Sequence, residues 1–459
     1  MPGLNTSLFI ADQALQANRG ALDVTSNNIA NANTPGYSRE QVELTEAIPV
    51  EQGDISYGSG VDLEQVQSVR DQVLELRIAE ETQQQASSQT QYTALQQVQG
   101  LFSNSTQGIG ADLTAFFNSL NQLSTDPTSI PQRQAVLTAA QNLAGDFQQT
   151  EQNLDSIQSG MNQSVTATVS QINSLTQQIA QLNGQVGQLQ KLGQDPGVLL
   201  DQETQAIDQL SQLTDVNVIQ TEAGETITTG SGTALVVGNQ SFALQVSPGT
   251  AGTNQIYAQG QNITSTIQSG QLGGTLQIRD QVIPEILSQL DNLAGQFTTS
   301  INNAQASGYD LNGNKGQPLF SDPPGPGAAA NIQVAITDPN LIAASSDKTP
   351  GSNGNIANLL AVQNQALPSG ADPLDTYSDM VSLTGNLTAQ AEAEVNASQT
   401  SLTQLQDQRG SLSGVDIDEE TTNLVNYQNA YEAAARVVTT IDQLTQYTLE
   451  MGASAQAVP

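Results

Sequence analysis

Leu4, Leu8, Ala11, Leu15, Asn18, Leu22, Thr25 and Ile29 recur at alternating steps of four and three residues, the seam of a coiled-coil helix. Asn33-Thr34-Pro35-Gly36 ends that helix with a restricted pre-proline residue, a proline and a glycine. The far end of the chain mirrors this. Leu424, Tyr427, Tyr431, Ala434, Val438 and Ile441 again step by three and four, behind an Asp416/Glu419 spacing that suits a capping box.

Between these seams, residues 41–68 mix short alternating pieces (Val61, Leu63, Val66) with glycine-rich turns. Helices are predicted near 70–103, 110–124, 129–150 and 153–192. The last carries Val165, Val169, Ile172, Leu175, Ile179, Leu182, Val186 and Leu189, with Gln, Ser and Asn on its other face. Asp195-Pro196-Gly197 breaks it, and a short helix near 201–213 follows. From Asp215 the pattern becomes alternating, at Val216–Thr221, Thr233–Val237 and Ser241–Val246, with Gly238-Asn239 as a hairpin turn. Helix resumes near 280–305. Residues 308–352 are loop-rich, with Asp322-Pro323-Pro324-Gly325-Pro326-Gly327 as the clearest breaker. A short helix near 355–366 precedes a long one near 375–411.

The expected fold is therefore mainly α with an inserted small β domain: terminal coiled-coil helices, a helical-bundle middle layer and a β-rich outer domain. Residues 1–40 and 415–459 form the terminal pair. Residues 41–214 and 276–414 form the helical domain, including the loop-rich stretch 308–352, and residues 215–275 form the inserted β domain.

Charge and composition narrow the function. The 459 residues carry 11 basic and 45 acidic side chains, a net charge of −34. Nucleic acid and anionic membrane surfaces are excluded as partners, because both need clustered cations. With no Cys, His or Trp, disulfides, thiolate nucleophiles, His-based triads and the commonest transition-metal sites are excluded as well. The N-terminal stretch has neither the basic nor the apolar region of a Sec signal, and no run is long enough to span a bilayer.

Remaining chemical candidates are weak. Asp310, Asn312 and Asn314 begin like a calcium loop, but Lys315 and Ser321 stand where glycine and a bidentate glutamate are needed. The adjacent carboxylates Glu80-Glu81 and Glu419-Glu420 diverge on a helix, and Gly270–Gly274 lacks the lysine of a phosphate loop. No catalytic residue, metal site or cofactor is expected.

The terminal seams leave two readings: an intramolecular helix pair, or contacts made on assembly. Polar Asn18 and Thr25 at core positions favour assembly, since such residues fix register and partner number. A membrane-surface helix is excluded because residues 4–31 hold one Arg against two Asp.

SNNIANANTPGYSRE (26–40) resembles the N-terminal signature of the flagellar rod, hook and hook-associated axial proteins. SGVDIDEETTNLVNYQNAYEAAARVVTTIDQL (413–444) resembles the C-terminal motif of the hook-associated members at the hook–filament junction. Segments 119–147, 196–218 and 271–297 are similar to the same members, and the likeness covers most of the chain. The chain looks short for that group, with little room for a further outer domain.

The resemblance implies a non-enzymatic structural subunit of the bacterial flagellum, required for assembly and motility. It implies partners: copies of itself in a ring, the hook protein, a second junction protein and an export chaperone. It implies a secreted, extracellular location reached by flagellar type III export. Both termini would be disordered in the free monomer and paired as a coiled coil on assembly. Carried over by position, the assembly residues are Leu8, Leu15, Leu22, Ile29, Asn28, Asn31, Asn33, Pro35, Gly36 and Tyr37 at one end. At the other they are Leu424, Tyr427, Tyr431, Val438 and Ile441. Asn27, Asn28, Asn31 and Asn33 have two open roles, contact between subunits or capping of the helix C-terminus. Another axial subunit, a hook or rod protein, is the nearest alternative, although hook proteins resemble β-rich bodies. An exported cell-surface adhesin is the alternative from another class.

Overall fold

The computed structural model describes residues 2–52, 55–102, 108–221, 224–249, 252–321, 326–368 and 370–455. The Asp322–Gly325 part of the expected breaker lies outside them. Helix α1 (Pro2–Asn31) is followed by strands β1 (Glu40–Glu46), β2 (Val50–Gln52), β3 (Ile55–Tyr57) and β4 (Val61–Ser68). Next come α2 (Gln72–Phe102), α3 (Ile109–Thr125), α4 (Ile130–Lys191) and α5 (Gly197–Leu213). The strand-rich stretch comprises β5 (Asn217–Thr221), β6 (Gly224–Thr228), β7 (Ala234–Val237), β8 (Gln240–Ser241), β9 (Leu244–Pro248), β10 (Asn254–Ala258) and β11 (Gln261–Asn262). The chain returns through α6 (Gly270–Gln277), α7 (Ile283–Ser307), α8 (Ala328–Asn331), α9 (Ile356–Ala361), α10 (Pro373–Ser413) and α11 (Ile417–Ala455).

Helix α4 is the spine. Its 62 residues make a rod about 90 Å long. The two helices expected at 129–150 and 153–192 are one, because Glu151-Gln152 supplies no breaker and Leu154 continues the buried stripe. The rod serves two apolar cores. Its first half joins α3, α7, α9 and the 319–344 loops around Phe116, Phe117, Phe297 and Phe320. Those rings meet mostly edge-to-face or tilted, at centroid distances of 5.5 to 6.2 Å, the geometry that aromatic quadrupoles favour. Its second half joins α5, α6 and the strands through Val165, Val169, Ile172 and Ile179.

The polar residues beside this stripe have a structural role that the helical period does not reveal. Asn173 donates to the Leu244 carbonyl (2.8 Å) and accepts from its N–H (2.7 Å). Asn183 does the same with Glu225 (2.8 and 2.7 Å) and also donates to the Gly238 carbonyl (3.1 Å). Gln148 and Gln158 donate to the carbonyls of Ile332 and Arg279. Arg133, only 2% exposed, donates to the carbonyls of Pro127, Pro339 and Ile342. Side-chain groups of the rod thus satisfy backbone groups of strand and loop that would otherwise be buried unpaired.

Strands β5 to β11 form two small antiparallel sheets, ordered β5-β6-β7-β8 and β11-β10-β9. Gly238-Asn239 does make the β7–β8 turn, between the pair Val237 and Gln240. The alternating run 241–246 is not one strand, since Ser241 ends β8 and Leu244 opens β9 of the other sheet. Neither sheet has a core of its own. Ile227, Leu235, Val236, Leu244 and Ile256 are buried together with α4, α5 and α6.

Helix also resumes ten residues before the expected 280, at Gly270. Gly270 takes a left-handed φ of 71°, open to glycine at little cost, and lies against the backbone of Thr214. At Gly274 a Cβ would come within 2.6 Å of the Ser87 carbonyl on α2. These glycines, at the end of the expected β domain, allow two helices to touch. A π-helical turn (Ile278–Val282) joins α6 to α7 and accommodates Pro284, which has no N–H to donate to the preceding turn.

Gly274→Ala is accordingly expected to force α2 and α6 apart and to cost about 1–3 kcal/mol in thermal or denaturant unfolding. Gly145→Ala, on an α4 surface where a Cβ meets nothing within 4 Å, is expected to be neutral or to stabilise by up to about 1 kcal/mol. Circular dichroism melts of the two variants measure both.

Candidate assembly interface

Helices α1 and α11 lie side by side in opposite directions, the end of α1 meeting the start of α11 at Asn28 and Glu420. The seams expected to lack partners in a single chain therefore cover each other. Their fit is made by small residues. Ala11, Ala17 and Ala21 are at most 4% exposed, and Thr25 and Asn28 are 3% and 1% exposed. The larger Leu4, Leu8, Leu15, Leu22 and Ile29 are half-buried. A second side of α1 rests on the antiparallel β1–β4 pair, where a Cβ on Gly20 would stand 2.5 Å from Leu63. On α11, Leu424, Tyr427, Ala434 and Val438 are half-buried, Ile441 is 7% exposed and Tyr431 is 38% exposed.

Asn28 ties the join together. Its amide donates to the Glu40 carbonyl (2.8 Å) and to Glu420 Oε1 (3.2 Å). Its Oδ1 accepts from the Tyr37 hydroxyl (2.8 Å) and from the Glu40 N–H (2.9 Å). All the hydrogen-bonding positions of an asparagine side chain are thereby used inside one chain. Within this chain Asn28 is buried and its amide bonds go to Glu40 and Glu420, not to the carbonyls that end its own helix. Asn31 bonds back to Asn27 (2.8 Å to Oδ1), and Asn27 donates to Glu40 Oε2 (3.4 Å). Asn33, Pro35 and Gly36 are exposed and Tyr37 is half-buried.

Charged neighbours extend the join in both directions. Arg39 pairs with Glu419 at 3.0 Å, and its N–H donates to the Ser413 carbonyl at the end of α10 (2.8 Å). Asp416 caps α11 by accepting from the N–H groups of Asp418 and Glu419 (2.9 and 3.3 Å). Glu419 and Glu420 are thus also the α11 side of the contact. On the body side, Arg70 pairs with Asp201 and donates to Thr204 (2.9 Å), while the Ser38 N–H donates to Asp201 (3.3 Å). Sequence reasoning missed Arg39, Glu40, Arg70, Asp201 and the pairing role of the two glutamates. The available signal was their position immediately beside the two terminal motifs.

Carboxylates outnumber cations at this join, and burial acts on them. Desolvation raises the pKa of Glu40 and, against the pull of Arg70, that of Asp201. It raises the Tyr37 phenol too, helped by Glu40, Asp201, Glu420 and Asp195. Glu203 on α5 is 2% exposed, with Oε1 lacking a hydrogen-bond partner. Burial first and the Glu225 carboxylate second push it up to about 8, with Arg70 opposing.

Two outcomes are expected. Asn28→Leu strands the Tyr37 hydroxyl, both Glu40 backbone groups and Glu420, at about 1–3 kcal/mol for each group left unpaired. Hydrogen exchange should then lose protection over residues 26–40 and 417–425 but not over α3 and α7. Glu203 favours its protonated form in the folded chain, so its stabilisation is complete below its ordinary value of 4.5 and lost as pH rises through about 8. Melting temperature should fall across that window, and Glu203→Gln should flatten the fall.

Three family models match this chain. Residues 95–320 match the flagellar hook-associated protein FlgK helical domain. Residues 408–451 match the flagellar basal body rod FlgEFG protein C-terminal model, and residues 8–37 match the flagella basal body rod protein model. Flagellar hook-associated protein 1 of Bacillus subtilis (strain 168) is 29% identical over 96% of this chain and 97% of its own length. The protein of that name in Escherichia coli (strain K12) is 27% identical over 95% and 97%. The solved structure of the flagellar hook junction protein FlgK from Burkholderia pseudomallei shares the fold, with a TM-score of 0.67 and 19% identity over 73% of this chain and all of that one. Models at both ends and in the helical body, and relatives aligned nearly end to end, agree: over almost its whole length the chain is similar to flagellar hook-associated protein 1.

Proposed function

We propose that this chain is a structural subunit of the bacterial flagellum, placed between hook and filament. The observation that carries the reading is the antiparallel pairing of the two terminal motifs, locked through Asn28, with an apolar side left uncovered. Phe9 is 52% exposed, and on α11 Leu444, Tyr447, Leu449 and Met451 are 48–68% exposed. Exposed apolar side chains concentrated on one element mark a surface that meets another protein.

The terminal segments 1–40 and 415–459 are the polymerising unit, with copies of the chain forming a ring. Residues 41–214 and 276–414 carry the helical body, and 215–275 lie outermost. The hook protein and a second junction protein adjoin the ring, and an export chaperone precedes both. The chain leaves the cell by type III export. It has a mechanical role and no enzymatic one. Among its site residues, Leu8, Leu15, Leu22, Ile29, Leu424, Tyr427, Val438 and Ile441 hold the pair together. Tyr431 and the exposed α11 residues face the neighbours.

Leu449→Asp tests this better than a change at half-buried Leu22, because Leu449 is 68% exposed and contributes little to the single chain. The variant is expected to melt like the wild type and still be exported. It should fail to remain at the hook tip, so that filament subunits appear in the medium and the cells do not swim. Normal swimming with intact filaments would overturn the proposal. Electron microscopy of labelled protein should place the wild type as a thin band between hook and filament.

A further inference from the structure

The chain has three lysines, and two of them meet at one tyrosine. Lys315 Nζ lies 4.4 Å from the centre of the Tyr309 ring and Lys348 Nζ 5.2 Å from it. Ring and cations sit on a braced platform rather than on loose loops. Tyr309 makes isolated β-bridges to Lys315 on one side and to Ser345 on the other, with the Tyr309 N–H donating to the Ser345 carbonyl at 2.7 Å. Asp310 is 4% exposed. It locks the connecting turn by accepting from the N–H groups of Asn312 and Asn314 at 2.9 and 2.8 Å. Lys315 also donates to the Ser307 carbonyl at 3.1 Å.

Both lysines are exposed, and among the described residues neither makes an ion pair with a carboxylate. Asp347, next to Lys348, turns back into its own loop and accepts from Ser345 Oγ and the Thr349 N–H. Two ammonium groups are therefore held at one ring without a carboxylate partner among the described residues, on a molecule of net charge −34. The platform stands near the α3–α4 turn, where Asn353 donates to the Ser124 carbonyl (3.0 Å). That is the opposite end of α4 from the Asn28 join.

We infer that the Tyr309–Lys315–Lys348 platform is an interaction surface for carboxylates of a second copy of this chain. The inference rests on the assembly reading above. Copies this acidic repel when brought side by side, and complementary charge at a contact both relieves that repulsion and fixes orientation. A braced dication is suited to the task because little side-chain freedom remains to be lost on contact. The apolar contacts at the terminal helices bring copies together at one end of the rod. The lysine platform sets their spacing at the other.

Zero-length carbodiimide cross-linking of isolated flagella, read by mass spectrometry beside dilute purified monomer, tests this. Lys315 and Lys348 are expected to link to Asp or Glu peptides of this same chain in flagella and not in the monomer. The double variant K315Q/K348Q should melt like the wild type, and the amount retained in flagella should fall several-fold as salt is lowered. Wild-type protein present in flagella whose lysines form no such links, or link only to a different protein, overturns the inference and leaves the junction role standing. Wild-type protein absent from flagella overturns both.

Discussion

One buried asparagine fixes how the two ends of this chain meet. Asn28 binds Tyr37 and both backbone groups of Glu40 just beyond its own helix, and Glu420 at the start of the last one. A single side chain thus sets the exit direction of α1, the start of β1 and the register of α11. A small polar residue suits the site because two donors and two acceptor positions can address four groups within one volume. An apolar residue of similar size would fill the space and leave those groups unpaired. Arg39, which reaches Glu419 and the Ser413 carbonyl, gives the same join a second anchor, so the order of elements around it follows from hydrogen-bond satisfaction more than from apolar burial.

The body solves a different problem, how to hold short strands and loops that have no core of their own. Long α4 supplies the apolar stripe, and Asn173 and Asn183 supply backbone partners for β6 and β9. Apolar burial gives most of the free energy. The amides choose the register, because a strand shifted by one residue would present Leu244 or Glu225 to the wrong position. The polar face of α4 is therefore as specific as its buried one.

What could be read in advance follows from the range of each signal. The terminal seams, the stop at Asn33–Gly36 and the Gly238-Asn239 turn depend on neighbours within a few positions, and they were legible. The division into two helices near 151 was an over-reading of a polar stretch, and Leu154 carries the stripe across it. Gly270 and Gly274 fell within the expected β domain rather than a helix because their partners, Thr214 and Ser87, are far away in sequence. Asn28 was legible as part of a motif but not as a clamp, since Glu420 lies 392 positions away. The same limit hid the small-residue face of α1. A heptad pattern weights Leu15 and Leu22, whereas close approach to α11 and to the β1–β4 pair depends on Ala17, Gly20 and Ala21.

These two modes of construction place the weaker structure where a polymerising subunit needs it. The body buries a four-phenylalanine cluster and many fully covered Leu, Ile and Val residues on α3, α4 and α7. The terminal pair covers alanines, leaves its leucines half-exposed and depends on a join rich in carboxylates that burial disfavours. Local opening free energy follows buried apolar contact, so the ends open before the body does. On the proposed assembly, another subunit would cover the half-buried apolar residues on α1 and α11, and the binding free energy of that contact would also stabilise the fold of the helices that make it. On that proposal order at the ends is coupled to assembly, while the rod and its two cores keep their shape on their own.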